Sequence, residues 1–168
     1  MLNAMHLYRM GRWLYERRVP VLPKMLYVAG AALFHSIVPF TARIGKGCRF
    51  TYGGLCVIVH KDAQIGENVV ISPCATIGGR FEPGHPPVIG DNVFIATGAK
   101  ILGVRVGSNV IIGANSVVTR DVPSGTVVAG VPARVLREIR PEELRALRQR
   151  LVKADPEPNG APVAKEAA

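Results

Sequence analysis

The chain has 168 residues, which is enough for one domain with a buried core. Its 21 Lys and Arg residues against 12 Asp and Glu give a formal net charge of +9, which first suggests a nucleic-acid partner. The basic excess lies at the two ends of the chain, without a basic groove interleaved with aromatic residues, so no nucleic-acid partner is expected. Three cysteines without CxxC spacing argue against a disulfide framework and favour a reducing, cytoplasmic setting.

Two helices are predicted at the amino end. Residues 2–18 show the spacing of an amphipathic helix, Pro20 and Pro23 interrupt it, and residues 24–38 form the second. The apolar run of the second helix, about ten residues, is too short for a bilayer, which needs roughly 20. A basic, aromatic helix pair can lie on an anionic inner-membrane surface. The alternative, which we favour, is packing against the end of the following repeat or between subunits.

The middle of the chain is a hexapeptide repeat. Large aliphatic residues recur with a period of six, glycine often follows them, and a small or β-branched residue returns four positions later. Such a period is typical of a parallel β-helix, in which each hexapeptide supplies one short strand and one corner, and three make a coil. The aliphatic residues predicted to point inward are Val59, Ile65, Ile71, Ile77, Ile89, Ile95, Ile101, Val106, Ile112 and Val118.

Two irregularities interrupt the repeat. The step from Ile77 to Ile89 is twelve residues, which predicts a loop extruded from a corner over residues 79–87. The step from Ile101 to Val106 is five residues, which predicts a tightened corner. Earlier rungs are predicted at Ile44 and Phe50, before a longer turn.

After the repeat, the chain is predicted to turn out of the coil at residues 120–125 and to continue as an extended closing segment over residues 126–135. A surface helix follows over residues 141–152, opening with Pro and two Glu, and the composition from residue 154 onward is that of a disordered tail. We therefore predict three parts: an amino-terminal helical segment (1–43), a β-helix domain (44–139), and a carboxy-terminal helix with its tail (140–168).

Several stretches resemble the serine O-acetyltransferases, which are hexapeptide-repeat acyltransferases. The similarity covers roughly residues 44–139 and includes VIGDNVFIATGAKILG and GANSVVTRDVPSGTVVAGVPARV. The stretches LYRMGRWLYERRVPVLPK and TYGGLCVIVHKDAQIG are most similar to the short branch of that family, which is associated with exopolysaccharide synthesis. The resemblance implies an all-β fold, a left-handed parallel β-helix with short amino-terminal helices and a carboxy-terminal helix. It also implies a homotrimer that transfers acetyl from acetyl-CoA to a hydroxyl acceptor, L-serine or a sugar.

Acetyl transfer to an alcohol needs a base for the hydroxyl proton, and histidine titrates nearest neutral pH. His6 and His35 lie in the predicted helices and are interpreted as structural or surface residues. Val59 and Ile77 are one coil apart, so repeat counting places His60 beside the root of the loop that carries His85. His60 and His85 are therefore the candidate catalytic residues, with His60 as the base.

The family resemblance also shows one difference in this chain, at the usual base, and implies one set of cofactor contacts. Longer members carry an Asp-His pair in the stretch that here reads Thr51-Tyr52-Gly53-Gly54 and contains neither residue, so the usual base is missing and His60 is expected to substitute. Cofactor contacts in the family come from small residues at a corner and from a basic residue near the closing turn. They carry over to Gly79, Thr97, Gly98, Ala99, Ala114 and Arg134.

Two other function classes are compatible with a β-helix. A γ-carbonic-anhydrase-type metal enzyme uses the same β-helix but needs a closely spaced histidine pair for zinc, which the sequence lacks, so no metal is expected. A non-catalytic β-helix scaffold remains as the alternative.

Overall fold

The computed structural model of the protein describes residues 3–80 and 84–152. These ranges contain fourteen short strands, three α-helices and a short 3-10 turn at Tyr52–Gly54. The helices are α1 (Ala4–Glu16), α2 (Leu22–Phe34) and α3 (Pro141–Val152). The strands are β1 (Arg43–Ile44), β2 (Arg49–Phe50), β3 (Ile58–Val59), β4 (Gln64–Ile65), β5 (Val70–Ile71), β6 (Thr76–Gly78), β7 (Val88–Ile89), β8 (Phe94–Ile95), β9 (Lys100–Leu102), β10 (Arg105–Val106), β11 (Ile111–Ile112), β12 (Val117–Val118), β13 (Thr126–Gly130) and β14 (Ala133–Glu138).

The strands stack into three sheets that form the faces of a β-helix, and all of them pair in parallel except β14. Face A contains β3, β6, β9 and β12, face B contains β1, β4, β7 and β10, and face C contains β2, β5, β8, β11, β13 and β14. Each coil runs from face B through face C to face A. The register is that of the hexapeptide count, since Val59 pairs with Ile77 and Ile77 with Ile101.

The core is the column of inward side chains that the repeat predicts. Each of the ten aliphatic residues of the repeat is at most 5% exposed. The small residues that return four positions after them are fully buried beside these aliphatic side chains: Ala63, Val69, Ala75, Val93, Ala99, Val110 and Ser116. Burial of aliphatic surface in this column is the main source of stability for the coil.

The corners are held by residues in the left-handed backbone region. One corner, here the asparagine corner, consists of Gly47, Asn68, Asn92 and Asn109, all with φ between 54° and 69°. Asn68 donates from its amide to Asn92 at 3.5 Å, and Asn92 donates to Asn109 at 3.3 Å. Asparagine and glycine tolerate positive φ better than other residues, which explains why they occupy this corner.

Helix α1 packs on the first coil. Asn3 caps it by accepting a hydrogen bond from the N–H of Met5. The hydroxyl of Tyr8 donates to the carbonyl of Ala42 at 2.8 Å, and the guanidinium of Arg9 donates to the carbonyls of Ile44 and Gly45. The prediction that the amino end packs against the end of the repeat is therefore confirmed for α1.

Helix α2 ends four residues before the predicted boundary at Val38. His35 follows it in the left-handed conformation, and Ile37 already pairs with Ile58 on face A. The outer side of α2 is apolar and exposed at Leu22, Met25, Val28 and Leu33. Within the described ranges, no helix is long and apolar enough to cross a membrane.

The carboxy-terminal part covers face C. Strand β13 continues the sheet in parallel, and the chain then reverses so that β14 pairs antiparallel with β13. Helix α3 returns across the face, where Leu147 packs against Val70 with Phe94, Ile111 and Ile139 around them. The predicted closing segment therefore forms β13 and the start of β14, and the helix predicted after it packs on face C.

Candidate active site

The corner between face A and face B carries the candidate catalytic residues. We call it the histidine corner; it comprises residues 60–63, 79–80, 84–87, 103–104 and 119–121. The N–H of His60 donates to the carbonyl of Ile77 at 2.7 Å, which ties the histidine to the strand that leads into the loop. A Cβ built on Gly79 would lie 3.2 Å from both Cδ2 and Nε2 of the His60 ring. The placement of His60 beside the root of the loop, obtained from repeat counting, is thus observed.

The His60 side chain is held by Asp62. Its Nδ1 accepts a hydrogen bond from the backbone N–H of Asp62 at 3.2 Å, and the Asp62 carboxylate lies 4.0 Å from the same nitrogen. Because Nδ1 accepts a hydrogen bond, the neutral ring carries its proton on Nε2 in this arrangement. Asp62 was not singled out from the sequence, although its position two residues after His60 is the signal that could have found it.

Gly103 lets the two ends of the loop lie on the next coil. Its φ is +57°, and an added Cβ would lie 2.6 Å from the backbone nitrogen of Arg80 and 2.9 Å from the carbonyl oxygen of His85. The N–H of Gly103 also donates to the carbonyl of Gly78 at 2.8 Å. The shortened repeat between Ile101 and Val106 is therefore the tightened corner that the spacing predicts, and its function is to seat the loop.

A cleft separates the loop from face B, and its lining is basic. Arg80, Arg105, Arg120 and His85 line it, together with Asp121. Arg80 donates from Nη2 to the carbonyl of Thr119 at 3.0 Å, and the Asp121 carboxylate accepts from the N–H of Arg105 at 2.9 Å. His85 thus lines a cleft whose arginines suit an anionic group.

The residues expected to contact the cofactor lie mostly at another corner. Gly79 belongs to the histidine corner, whereas Thr97, Gly98, Ala99 and Ala114 lie where face C meets face A. We call this the cysteine corner; it comprises residues 55–56, 73–74, 97–99 and 114–116. The five-residue step from Gly98 to Gly103 across face A spans about 15 Å, so the two corners are at opposite edges of one face.

Arg134 lies near the far end of the cysteine corner. It is exposed on β14 and pairs there with Ala129. Gly130, which follows Ala129 at the end of β13, donates its N–H to the hydroxyl of Ser116 at 3.2 Å. This hydrogen bond joins the end of β13 to the cysteine corner. The structure therefore groups Arg134 with Ala114 and separates both from the two histidines within one chain.

Comparison with known proteins gives the class of this β-helix. Residues 86–120 match the family model described as bacterial transferase hexapeptide (six repeats). A serine acetyltransferase from Synechococcus elongatus is 38% identical over 137 residues, covering 80% of this chain and 56% of that protein. The chain therefore spans little more than half the length of the curated relative that it matches.

Solved structures of serine acetyltransferases share the architecture. One in complex with CoA is 34% identical, with a TM-score of 0.71, and the match covers 79% of this chain and 55% of the other. Another, from Neisseria gonorrhoeae in complex with serine, is 34% identical, with a TM-score of 0.74 and coverage of 80% and 55%. The shared fold is the left-handed parallel β-helix. In its repeat the chain is similar to the hexapeptide-repeat transferases, and over about four fifths of its length it is similar to the serine acetyltransferases among them.

Proposed function

We propose that the protein is an acetyl-CoA-dependent O-acetyltransferase that transfers an acetyl group to a hydroxyl acceptor. The observation that carries the proposal is the packing of His60 against Gly79 at the foot of the His85 loop. This arrangement lies on a β-helix whose solved relatives include serine acetyltransferases in complex with CoA and with serine.

In the proposed mechanism His60 takes the proton of the acceptor hydroxyl at Nε2. The ring must then carry a hydrogen on Nδ1, which requires a partner that accepts. Asp62 offers both groups, because its N–H serves the resting tautomer and its carboxylate would accept from the Nδ1–H form once a side-chain rotation closes the present 4.0 Å separation. The same carboxylate stabilises the imidazolium that forms when His60 accepts the proton. Asp62 is therefore a positioning residue for His60.

Three substitutions test the assignment of the base. His60→Ala is expected to lower kcat by roughly 10²–10⁴ while leaving CoA affinity nearly unchanged, which is the usual contribution of a positioned proton acceptor. His60→Gln places an amide N–H near the position of Nε2 but cannot take a proton, so it should be as impaired as the alanine variant. If the glutamine variant retained most of the activity, His60 would be a hydrogen-bond donor and not the base. His85→Ala should act mainly on the KM of the acceptor.

For the cofactor, we propose that acetyl-CoA supplies the acetyl thioester and lies along the cysteine corner. The chain suits it there, because Thr97 and Ala114 are small and exposed and Arg134 presents an exposed guanidinium. CoA should raise the melting temperature by preferential binding to the folded protein. Arg134→Ala should weaken CoA more than dephospho-CoA, and equal losses for the two ligands would show that Arg134 does not contact the 3′-phosphate.

For the acceptor, we propose a hydroxyl compound that also carries a carboxylate. Three arginines and one aspartate line the cleft beside His85, and a guanidinium binds a carboxylate in a bidentate geometry. L-Serine has such a group, and so do the acidic sugars that a role in exopolysaccharide synthesis would supply. The experiment is thioester cleavage measured with L-serine, with a uronic acid and with a neutral sugar. A preference for the neutral sugar would contradict this part of the proposal.

We also propose a homotrimer in which neighbouring subunits complete the site. The outer side of face A is partly apolar, with Ile37 and Ile58 each 41% exposed and Leu55 44% exposed. Contact through this face would bring the histidine corner of one subunit towards the cysteine corner of the next. Sedimentation should give a trimer at micromolar concentration, and Ile58→Glu should weaken it, whereas the face B variant Gln64→Glu should not. A monomeric wild type would contradict the trimer.

The amino-terminal helices supply a further proposed contact, with an anionic membrane surface. The exposed apolar side of α2 is flanked by the exposed cations Arg17, Arg18 and Lys24. We expect cosedimentation with vesicles that contain phosphatidylglycerol and weaker binding to pure phosphatidylcholine. Met25→Glu should reduce the binding. Loss of self-association in that variant, with no vesicle binding by the wild type, would assign this surface to a second copy of the chain.

A further inference from the structure

Two cysteines form a stacked pair at the cysteine corner. Cys56 and Cys74 are one coil apart, and the register of β3 and β6, in which Ile58 pairs with Thr76, places them directly above one another. The N–H of Cys74 donates to the carbonyl of Leu55 at 3.0 Å, and both cysteines have positive φ, +53° and +59°. Both are free and exposed. The backbone therefore holds two thiols side by side at the surface of the corner.

The two thiols interact with each other. Desolvation raises the pKa of the Cys56 thiol, and the neighbouring Cys74 thiol raises it further. Neighbouring coils are about 4.8 Å apart, which lies within the range of Cα separations of roughly 4.4–6.8 Å found across disulfides. The pair can thus be joined without a large movement of the backbone.

The third cysteine differs from this pair. Cys48 is buried, its thiol donates to the carbonyl of Gly66 at 3.0 Å, and its sulfur accepts from the N–H of Val69 at 3.3 Å. Burial keeps a dissolved oxidant away from the Cys48 thiol and also raises its pKa, whereas Cys56 and Cys74 are exposed. Cys48 therefore serves as an internal control for any reaction of the exposed thiols.

We propose that Cys56 and Cys74 are a modification site, at which a hydroperoxide converts the two thiols into a reversible disulfide. The Cys74 thiolate attacks a peroxide oxygen and breaks the O–O bond, which gives a sulfenic acid and, with one proton, water. The sulfur of Cys56 then attacks the Cys74 sulfur, forming the S–S bond, and the displaced hydroxide leaves as water with the Cys56 proton. Two thiols are oxidised and one hydrogen peroxide is reduced to two waters, and a dithiol reductant reverses the reaction.

The site adjoins the backbone to which the cofactor is assigned. Gly98 follows Cys74 in the same column, and its N–H donates to the carbonyl of Pro73 at 3.0 Å. The ammonium of Lys100 bridges the two coils, because it donates to the carbonyls of both Cys74 and Gly98. A disulfide would therefore restrain the corner one coil below Gly98. Bound CoA should in turn shield the thiols, a consequence that rests on the proposed function.

Intact-protein mass spectrometry after treatment with hydrogen peroxide tests the proposal. The wild type and Cys48→Ala should lose the mass of two hydrogen atoms, and dithiothreitol should restore it. Cys56→Ser and Cys74→Ser should show no such loss, and peptide mapping should join residues 56 and 74. Overoxidation at each cysteine without this loss, or disulfide-linked dimers on a non-reducing gel, would overturn the proposal.

A second measurement separates this proposal from the proposed function. The rate of disulfide formation is measured with and without saturating CoA, and CoA should slow it several-fold. If the disulfide forms at the same rate in both cases, the thiol pair stands as a modification site but CoA does not bind at this corner. If no disulfide forms while CoA still stabilises the protein against heat, the thiol proposal fails and the cofactor assignment is unaffected.

Discussion

Two adjacent glycines offer a direct test of the environment of His60. Neither Gly78 nor Gly79 has a positive φ, so alanine is compatible with the backbone at both positions. A Cβ at Gly78 would meet its nearest atom, Leu102 Cδ2, at 3.6 Å, which is ordinary van der Waals contact. A Cβ at Gly79 would lie 3.2 Å from two ring atoms of His60, which is shorter than the optimum of roughly 3.5–4.0 Å.

The magnitude of the effect follows from this difference. To accommodate the Gly79→Ala methyl, the His60 ring must move by roughly 0.3–0.8 Å. Since a misplacement of about 1 Å can lower the rate 10²-fold, kcat should fall by roughly 10-fold. Gly78→Ala should leave kcat within about twofold of the wild type. It should also raise the free energy of unfolding by about 0.4–1 kcal/mol, because the unfolded chain becomes less flexible.

The assay combines kinetics with NMR spectroscopy. The kcat of thioester cleavage is measured for both alanine variants, together with CoA affinity, because Gly79 is also an expected cofactor contact. The imidazole resonances of His60 report its position independently of any acceptor, and only Gly79→Ala should shift them. Equal kcat values and unchanged His60 resonances in both variants would refute the packing of His60 against Gly79.

Three further predictions concern stability. In chemical denaturation, Gly98→Ala should lower the free energy of unfolding more than Gly125→Ala does. Both glycines have positive φ, which penalises alanine by about 1–2 kcal/mol, but only a Cβ at Gly98 would clash with a neighbouring side chain. Ile95→Ala, at a fully buried position, should lower the free energy of unfolding by about 2–5 kcal/mol. Arg137 lowers the pKa of Glu143 to about 2, so the contribution of this exposed pair, about 0–1 kcal/mol, should be present above pH 4.5 and lost as pH falls towards 2. An Arg137→Gln variant whose Glu143 still titrates near 2 by NMR would contradict this assignment.

The fold could be predicted because one period determines almost every inward position. A six-residue repeat specifies the strand, the corner and the stacking neighbour together, so the pairing of Val59 with Ile77 follows from counting alone. The repeat does not determine where α2 ends. The backbone of His35 is left-handed and Ile37 joins face A, so the long-range pairing with Ile58 ends the helix where local propensity would have continued it.

The packing of the carboxy-terminal part could not be predicted from the repeat either. The extended character of residues 126–135 is visible in the sequence, but the antiparallel return of β14 depends on contacts outside the repeat. Leu147 finds its partners at Val70 and Ile139 on the covered face, and no periodicity connects these residues. Sequence reasoning therefore gives the helix over residues 141–152 but not the face on which it packs.

Part of the candidate site could be predicted from the repeat and part could not. Positions within the coil follow from counting, which is why the sequence predicts His60 beside the root of the His85 loop, where it contacts Gly79. The side chains of a loop are not constrained by the repeat, so counting could not place His85 in a cleft with three arginines.

The period also gives no relation between copies of the chain. Because the expected cofactor contacts lie at two corners about 15 Å apart, a cofactor that touches both must cross face A or bridge two subunits. The exposed Ile58 on that face favours the bridge, since an apolar face is covered at lower free energy by another subunit than by water.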